Sequence, residues 1–341
     1  MKVIVILGAA FFLTTQYVMA QVDTAAISDK LNRSAKQLGK EFVVLIQKDG
    51  KIIYKKENPE FNLKTQQEIG AASQWLTAAL VLTYVQEGKL SLDDKVSDFL
   101  PFFTKYSKSY ITIRHCLTHQ TGIEADAKLF QKSRYKTLED EAMGIASRKE
   151  IETNPGTEFK YSNIGYSLVG RVIEVITKKG FDRVIQDRLL RPLGMRGTTF
   201  TNEDFNAAIN PSSGARSTAN DMSNFLLMLI NKGKFNNKQI LTEESVQTLL
   251  SLQAAAGQMK NNPKQTEGLA FSLGGWIVEA DANEKPLVMA GPSLSGSWPM
   301  VDLCRGYTLV LLTKALSNPP AKEFYMDLKS IVDDGITAKC N

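Results

Sequence analysis

Two runs of β-branched and apolar residues, 42–47 (FVVLIQ) and 51–56 (KIIYKK), flank Lys48-Asp49-Gly50. Asp-Gly supplies the positive φ angles of a tight hairpin turn, so the pattern predicts two antiparallel strands. From Gln74 onward the period changes: Leu76, Leu80, Val81, Tyr84 and Val85 recur at helical spacing, and Gly88 closes the segment as a C-terminal glycine does. Residues 92–252 are mostly helical in pattern with polar turns. They include a helix over 163–178 and another opened by Thr218, with Asp221 three residues on as a capping-box-like partner. Strand-like runs return at 271–279, 287–290, 298–303 and 307–313, the last two joined by Cys304-Arg305-Gly306, before a final helical run over 321–332. An early hairpin and late strands separated by helices predict an α/β fold of the α+β type. One antiparallel sheet is built from both chain ends and flanked by helices, with a helical lobe of about residues 92–252 inserted.

The first residues change the picture of where this fold works. Lys2 precedes an apolar run from Val3 to Leu13, and Val18-Met19-Ala20 offers small residues for cleavage, so residues 1–20 are read as an export signal. The run is shorter than the roughly 20 residues of a membrane span and Thr14, Thr15 and Gln16 break it. The expectation is therefore a 21–341 domain that does not span a membrane and works in the periplasm or outside the cell. A net charge of +5, with no Lys/Arg block and no interleaved aromatics, argues against a nucleic-acid partner. Three cysteines are too few for a disulfide scaffold and form no metal-spaced cluster, and no cofactor motif is read. In an oxidising compartment the favoured bridge is Cys304–Cys340, because Cys116 lies in an apolar helical stretch.

Three blocks carry a resemblance. They are IGAASQWLTAALVLTYVQEGKLSLDDKVSDFLP (69–101) with ITIRHCLTHQTGI (111–123), then PGTEFKYSNIGYSLVG (155–170), then ARSTANDMSNFLLML (215–229). In this order they resemble the β-lactamase-related serine hydrolases, which include class C β-lactamases, D-alanyl-D-alanine carboxypeptidases and related esterases. The resemblance implies a β-lactamase/penicillin-binding-protein-like fold. It also implies an S-x-x-K pair at a helix start, whose lysine takes the serine proton, and a Y-x-N tyrosine across the cleft as base and acid. A K-T-G or H-x-G strand binds the substrate carboxylate, and backbone N–H groups form the oxyanion hole.

Tyr161-Ser162-Asn163 preserves the second motif in full. The alignment of Ile69-Gly70 and Thr77-Ala78 places Ala71 at the serine and Gln74 at the lysine. Nothing between Pro286 and Trp298 is Lys or His, and Lys285 lies just before that stretch as a partial stand-in. An alanine has no lone pair, and losing a serine nucleophile costs about six decades of turnover, or roughly 8 kcal/mol of transition-state stabilisation. A neutral amide cannot serve as a base near neutral pH. Ser73 is the remaining hydroxyl at the helix start, yet two helical residues lie about 200° apart around the axis, so it is expected to face elsewhere.

Candidate catalytic residues are thus Tyr161 and Ser73. Candidate binding residues are Asn163, Gly291, Ser297 and Trp298; Trp75, Trp276 and Trp298 read mostly as core, but Trp298 follows Gly296-Ser297 near the strand that edges the family's cleft and is expected to shape a pocket there. His115 and His119 have no acidic residue between them, and the resemblance implies that they are structural. The leading expectation is a non-catalytic relative that binds a peptidoglycan-like peptide, ester or β-lactam, or recruits a partner. Against it stand a hydrolase or acyl-transfer enzyme using rearranged groups, such as Ser73 with Tyr161 or Lys285, and an interaction protein with no ligand.

Overall fold

A computed structural model describes residues 21–125, 134–201, 207–260, 262–314 and 316–340. The export signal expected over residues 1–20 lies outside the described residues. Strands β1 (Phe42–Lys48), β2 (Lys51–Lys56), β3 (Ala270–Phe271), β4 (Trp276–Ala280), β5 (Pro286–Ala290), β6 (Trp298–Asp302) and β7 (Tyr307–Thr313) form a seven-stranded sheet. Its order is β2-β1-β7-β6-β5-β4-β3, with every pair antiparallel. β1 lies against β7, with Val44 opposite Leu311, so the two chain ends meet in mid-sheet. The expected run 271–279 is two strands, because Ser272 to Gly275 turns the chain between them. Gly274 makes the turn at φ +80, where a Cβ would lie 2.6 Å from the Gln74 carbonyl oxygen.

β1 and β7 read as unbroken apolar runs because both faces of the sheet are covered. Val43, Leu45, Val310 and Leu312 face the helical lobe, while Val44, Ile46, Leu309 and Leu311 face two terminal helices, α1 (Thr24–Arg33) and α5 (Lys322–Asp333). On the lobe side lies helix α2 (Ala72–Val85), in which every residue from Ala72 to Tyr84 is buried. A helix apolar on all sides belongs in the centre of a domain. Its first turn abuts the end of β5 at Gly291, where a Cβ would lie 3.1 Å from Ala72 Cβ, tighter than an ordinary van der Waals contact. Helices α3 (Ile164–Thr177) and α4 (Ala219–Ile230) complete this side, the latter capped by Thr218 accepting from the Asp221 N–H as expected. Cys304 and Cys340 are bridged at a Cα separation of 5.0 Å, and Cys116 is a buried free thiol. No helix among the described residues is long and apolar enough to cross a membrane.

Candidate active site

Ala71 stands at the N-terminal boundary of α2 in helical conformation, directly after Gly70 with φ +49. Its methyl group packs with Phe159, Tyr161, Phe271 and Trp276 in a small cluster of its own. The rings pack against one another: Phe271 and Trp276 have centroids 4.8 Å apart, Phe159 and Phe271 5.3 Å, and Tyr161 and Trp276 5.9 Å. Ala71 is 6 % and Tyr161 2 % exposed, so both are buried with only a small residual opening at Ala71.

Behind the cluster runs a chain of polar contacts that begins at the backbone. His119 holds the segment that leads into α3: its carbonyl accepts from Lys160 N at 2.8 Å, and its Nδ1 accepts from Ser162 N at 3.3 Å. A ring nitrogen that accepts has no hydrogen, so in the neutral ring Nε2 carries it. That Nε2–H donates to Gln74 Oε1 at 3.1 Å. The Gln74 amide is thereby oriented with its NH₂ pointing the other way, where it donates to Tyr161 Oη and to Ser212 Oγ, both at 2.9 Å. Ser212 is held by a loop tied to α2 and the residues just before it at three points: Ala215 O accepts from Ile69 N, Ser73 Oγ accepts from Ala215 N, and Pro211 O accepts from Thr77 Oγ1. Burial pushes the His119 pKa down to about 3 and raises that of the Tyr161 phenol, against which the Gln74 bond works in part. Every group in the chain is neutral at ordinary pH.

Ser73 is fully buried; its Oγ donates to Gly70 O at 2.6 Å and accepts from Ala215 N at 3.0 Å, so it serves the helix start and does not meet Tyr161. Asn163 follows Tyr161 as the residue that opens α3. Ser297 is buried, its Oγ accepting from Thr313 N at 3.3 Å and its carbonyl from Ser293 N at 2.8 Å. Trp298 is core, the main expectation for it, and its candidacy as a binding residue shaping the pocket is corrected. Its ring stacks on Tyr325 at 4.2 Å in the core on the other side of the sheet, because its position in β6, opposite Leu311, points it toward α5. Lys285 is likewise displaced: it is exposed in the turn before β5, and the six residue steps along that strand put it roughly 20 Å from Gly291. Sequence reasoning missed Ser212 and the role of His119 as the group that orients Gln74. Both contacts join residues far apart in the chain, and only the resemblance of 215–229 hinted that this loop borders the site.

Residues 32–328 match the Beta-lactamase family, and the chain belongs to it. Among curated relatives, Protein flp of Staphylococcus aureus (strain MW2) is 32% identical over 175 residues, 48% of this chain and 35% of that protein. Penicillin-binding protein 4 of Amycolatopsis lactamdurans is 32% identical over 129 residues, 37% of this chain and 34% of that protein. The matches therefore span about a third of the length of these relatives. Among solved structures, a candidate beta-lactamase from Bacteroides dorei is similar with a TM-score of 0.81 at 24% identity, over 91% of this chain and 98% of that one. EstCE1, a hydrolase with promiscuous acyltransferase activity, is similar with a TM-score of 0.73 at 19% identity, over 91% and 99%.

Proposed function

We propose that the chain is a catalytically silent member of its family, whose cleft binds a ligand without forming a covalent intermediate. One observation carries this reading. The residue at the base position is an amide whose oxygen and both N–H groups are engaged by His119, Tyr161 and Ser212, while the nucleophile position holds a methyl group. Acyl transfer needs an attacking atom and a group that takes its proton. Ala71 supplies no attacking atom and Gln74 takes no proton, while the imidazole holds its proton against Gln74 and Ser73 is bound into the helix start. The names of the relatives, a penicillin-binding protein, a beta-lactamase and a hydrolase with acyltransferase activity, make a peptidoglycan-like peptide, an ester or a β-lactam the ligand classes to test first. Work outside the cytoplasm is part of the proposal, supported by the signal-like residues 1–20 and by the Cys304–Cys340 bridge.

The test is chemical. Purified protein incubated with a fluorescent penicillin, or with a fluorophosphonate, is expected to show its unmodified intact mass. A stable adduct mapped to Ser73 would overturn the reading.

A further inference from the structure

We infer that Gln21 becomes the first residue of the exported chain and closes on itself into a pyroglutamate, a lactam that leaves the chain without an amine at its head. This rests on the reading of residues 1–20 as an export signal, and adds what becomes of the residue that the cut exposes. Val18 and Ala20 stand where an A-x-A-like cleavage site places its small residues, so the bond cut is Ala20–Gln21. The packed fold is compatible with that start. Val22 is half-buried and packs against the outer core cluster beneath α1 and α5, and Asp23 Oδ1 accepts from Ala26 N at 2.8 Å to cap α1. Gly335, just past α5, has no side chain where the chain crosses it: a Cβ there would lie 2.6 Å from Val22 N and 3.0 Å from the Gln21 carbonyl carbon. The backbone is thus held from the Gln21 carbonyl onward, whereas Gln21 itself is exposed. A cut further in would strip Val22 from its cluster or Asp23 from its helix, and a start at residue 21 keeps both.

Glutamine is the residue that makes this position reactive. Its own α-nitrogen reaches the side-chain carbon Cδ through a five-membered ring, and both groups belong to one residue, so no encounter is needed. An α-amine titrates near about 8, which leaves part of it unprotonated and nucleophilic at neutral pH. The lone pair of that amine forms the N–Cδ bond, the Cδ–Nε2 bond breaks, and an amine proton leaves with Nε2 as ammonia. No oxidant, metal or second substrate enters. The product carries no terminal positive charge. Closure meets no obstacle in the fold, because the ring forms on the exposed side of the Gln21 carbonyl while Val22 and Asp23 keep their contacts. The other end of the chain is already tied down: Cys340 is bridged to Cys304, and Lys339 N donates to Cys304 O at 3.0 Å. An aminopeptidase works on a free α-amine, so the lactam shuts the head of a chain whose tail is bridged.

The experiment reads the head of the chain by mass. The full chain, residues 1–20 included, is expressed in a Gram-negative host, purified from outside the cytoplasm and held in phosphate buffer at neutral pH. Its amines are then blocked by reductive dimethylation before trypsin is added, so that a ring formed during digestion is not mistaken for one made in the protein. Blocked lysines are not cut, and the first arginine is Arg33. The expected N-terminal peptide is 21–33, lighter by one ammonia and labelled on Lys30 alone. Gln21→Asn keeps an amide but would need a four-membered ring, so this variant is expected to carry the label on its α-amine as well as on Lys30. A labelled α-amine on Gln21 that persists through the incubation would overturn the inference and leave the export reading standing. An unlabelled α-amine in Gln21→Asn would also overturn it, since the block would then come from some other modification. A peptide that still holds residues from 1–20 would instead sink the export reading and the inference with it, so the two failures are distinct.

Discussion

A chain carrying Ala71→Ser together with Gln74→Lys is expected to hydrolyse a small aryl ester roughly two to three decades faster than the unaltered chain, against the six or so that a serine nucleophile carries in an intact enzyme. The gain comes from placing a hydroxyl where the methyl now stands, one turn from an amine able to take its proton. The shortfall has identifiable causes. His119 points its Nε2–H at residue 74, so a lysine ammonium there meets a donor where Gln74 offers an acceptor, and the cation is buried without a carboxylate. Ser293 N, on the stretch that edges the family's cleft, already donates to Ser297 O and is not free to hold an oxyanion. Neither Lys nor His stands between Pro286 and Trp298 to hold a substrate carboxylate. Because nucleophile and base act as a unit, Ala71→Ser alone is expected to stay within about tenfold of background. The measurement is kcat/KM with a chromogenic acetate ester for both singles and the double. A folded double variant no faster than the unaltered chain would mean that the cleft no longer has the geometry its fold implies.

The legible parts of this protein were those written in short-range patterns. Asp49-Gly50 announces the hairpin by its backbone demand alone, and Thr218 with Asp221 announces α4 through a contact three residues long. The identities of Ala71 and Gln74 needed only the alignment of neighbouring residues. What stayed hidden depends on contacts between distant segments. In a strand covered on both faces, such as β6, apolar residues do not alternate with polar ones, so nothing in WPMVD says that Trp298 faces α5 and not the cleft. The pairing of Trp298 with Leu311 decides it. Gln74 was legible as a lost base but not as the centre of a network, because its three partners lie 45, 87 and 138 residues away. Ser212 carries no sequence signal of its own.

The same network predicts how stability responds to acid. His119 is fully buried and its folded pKa is depressed to about 3, while in the unfolded chain it titrates near 6.5. Between these values the unfolded state binds a proton that the folded state refuses. Stability therefore rises with pH across this window. The contribution is complete above about pH 6.5, declines as pH falls below that value, and continues to decline until pH 3. One proton corresponds to about 1.4 kcal/mol per pH unit, so from pH 7 to pH 4 His119 alone is expected to remove about 3 kcal/mol. His115, whose pKa is lowered by half-burial and by Arg114, adds to the same trend, whereas Asp221 and Asp302, raised by burial, work against it. For that reason the measurement is a difference: urea unfolding at several pH values for the unaltered chain and for His119→Leu. The variant loses the contacts to Ser162 and Gln74 and is expected to be less stable at pH 7, but its stability is expected to fall less steeply between pH 6 and pH 4, by about one proton. Parallel curves for the two chains would mean that the imidazole takes up its proton as readily in the folded state as in the unfolded one, and the orientation of Gln74 would then have to be assigned anew.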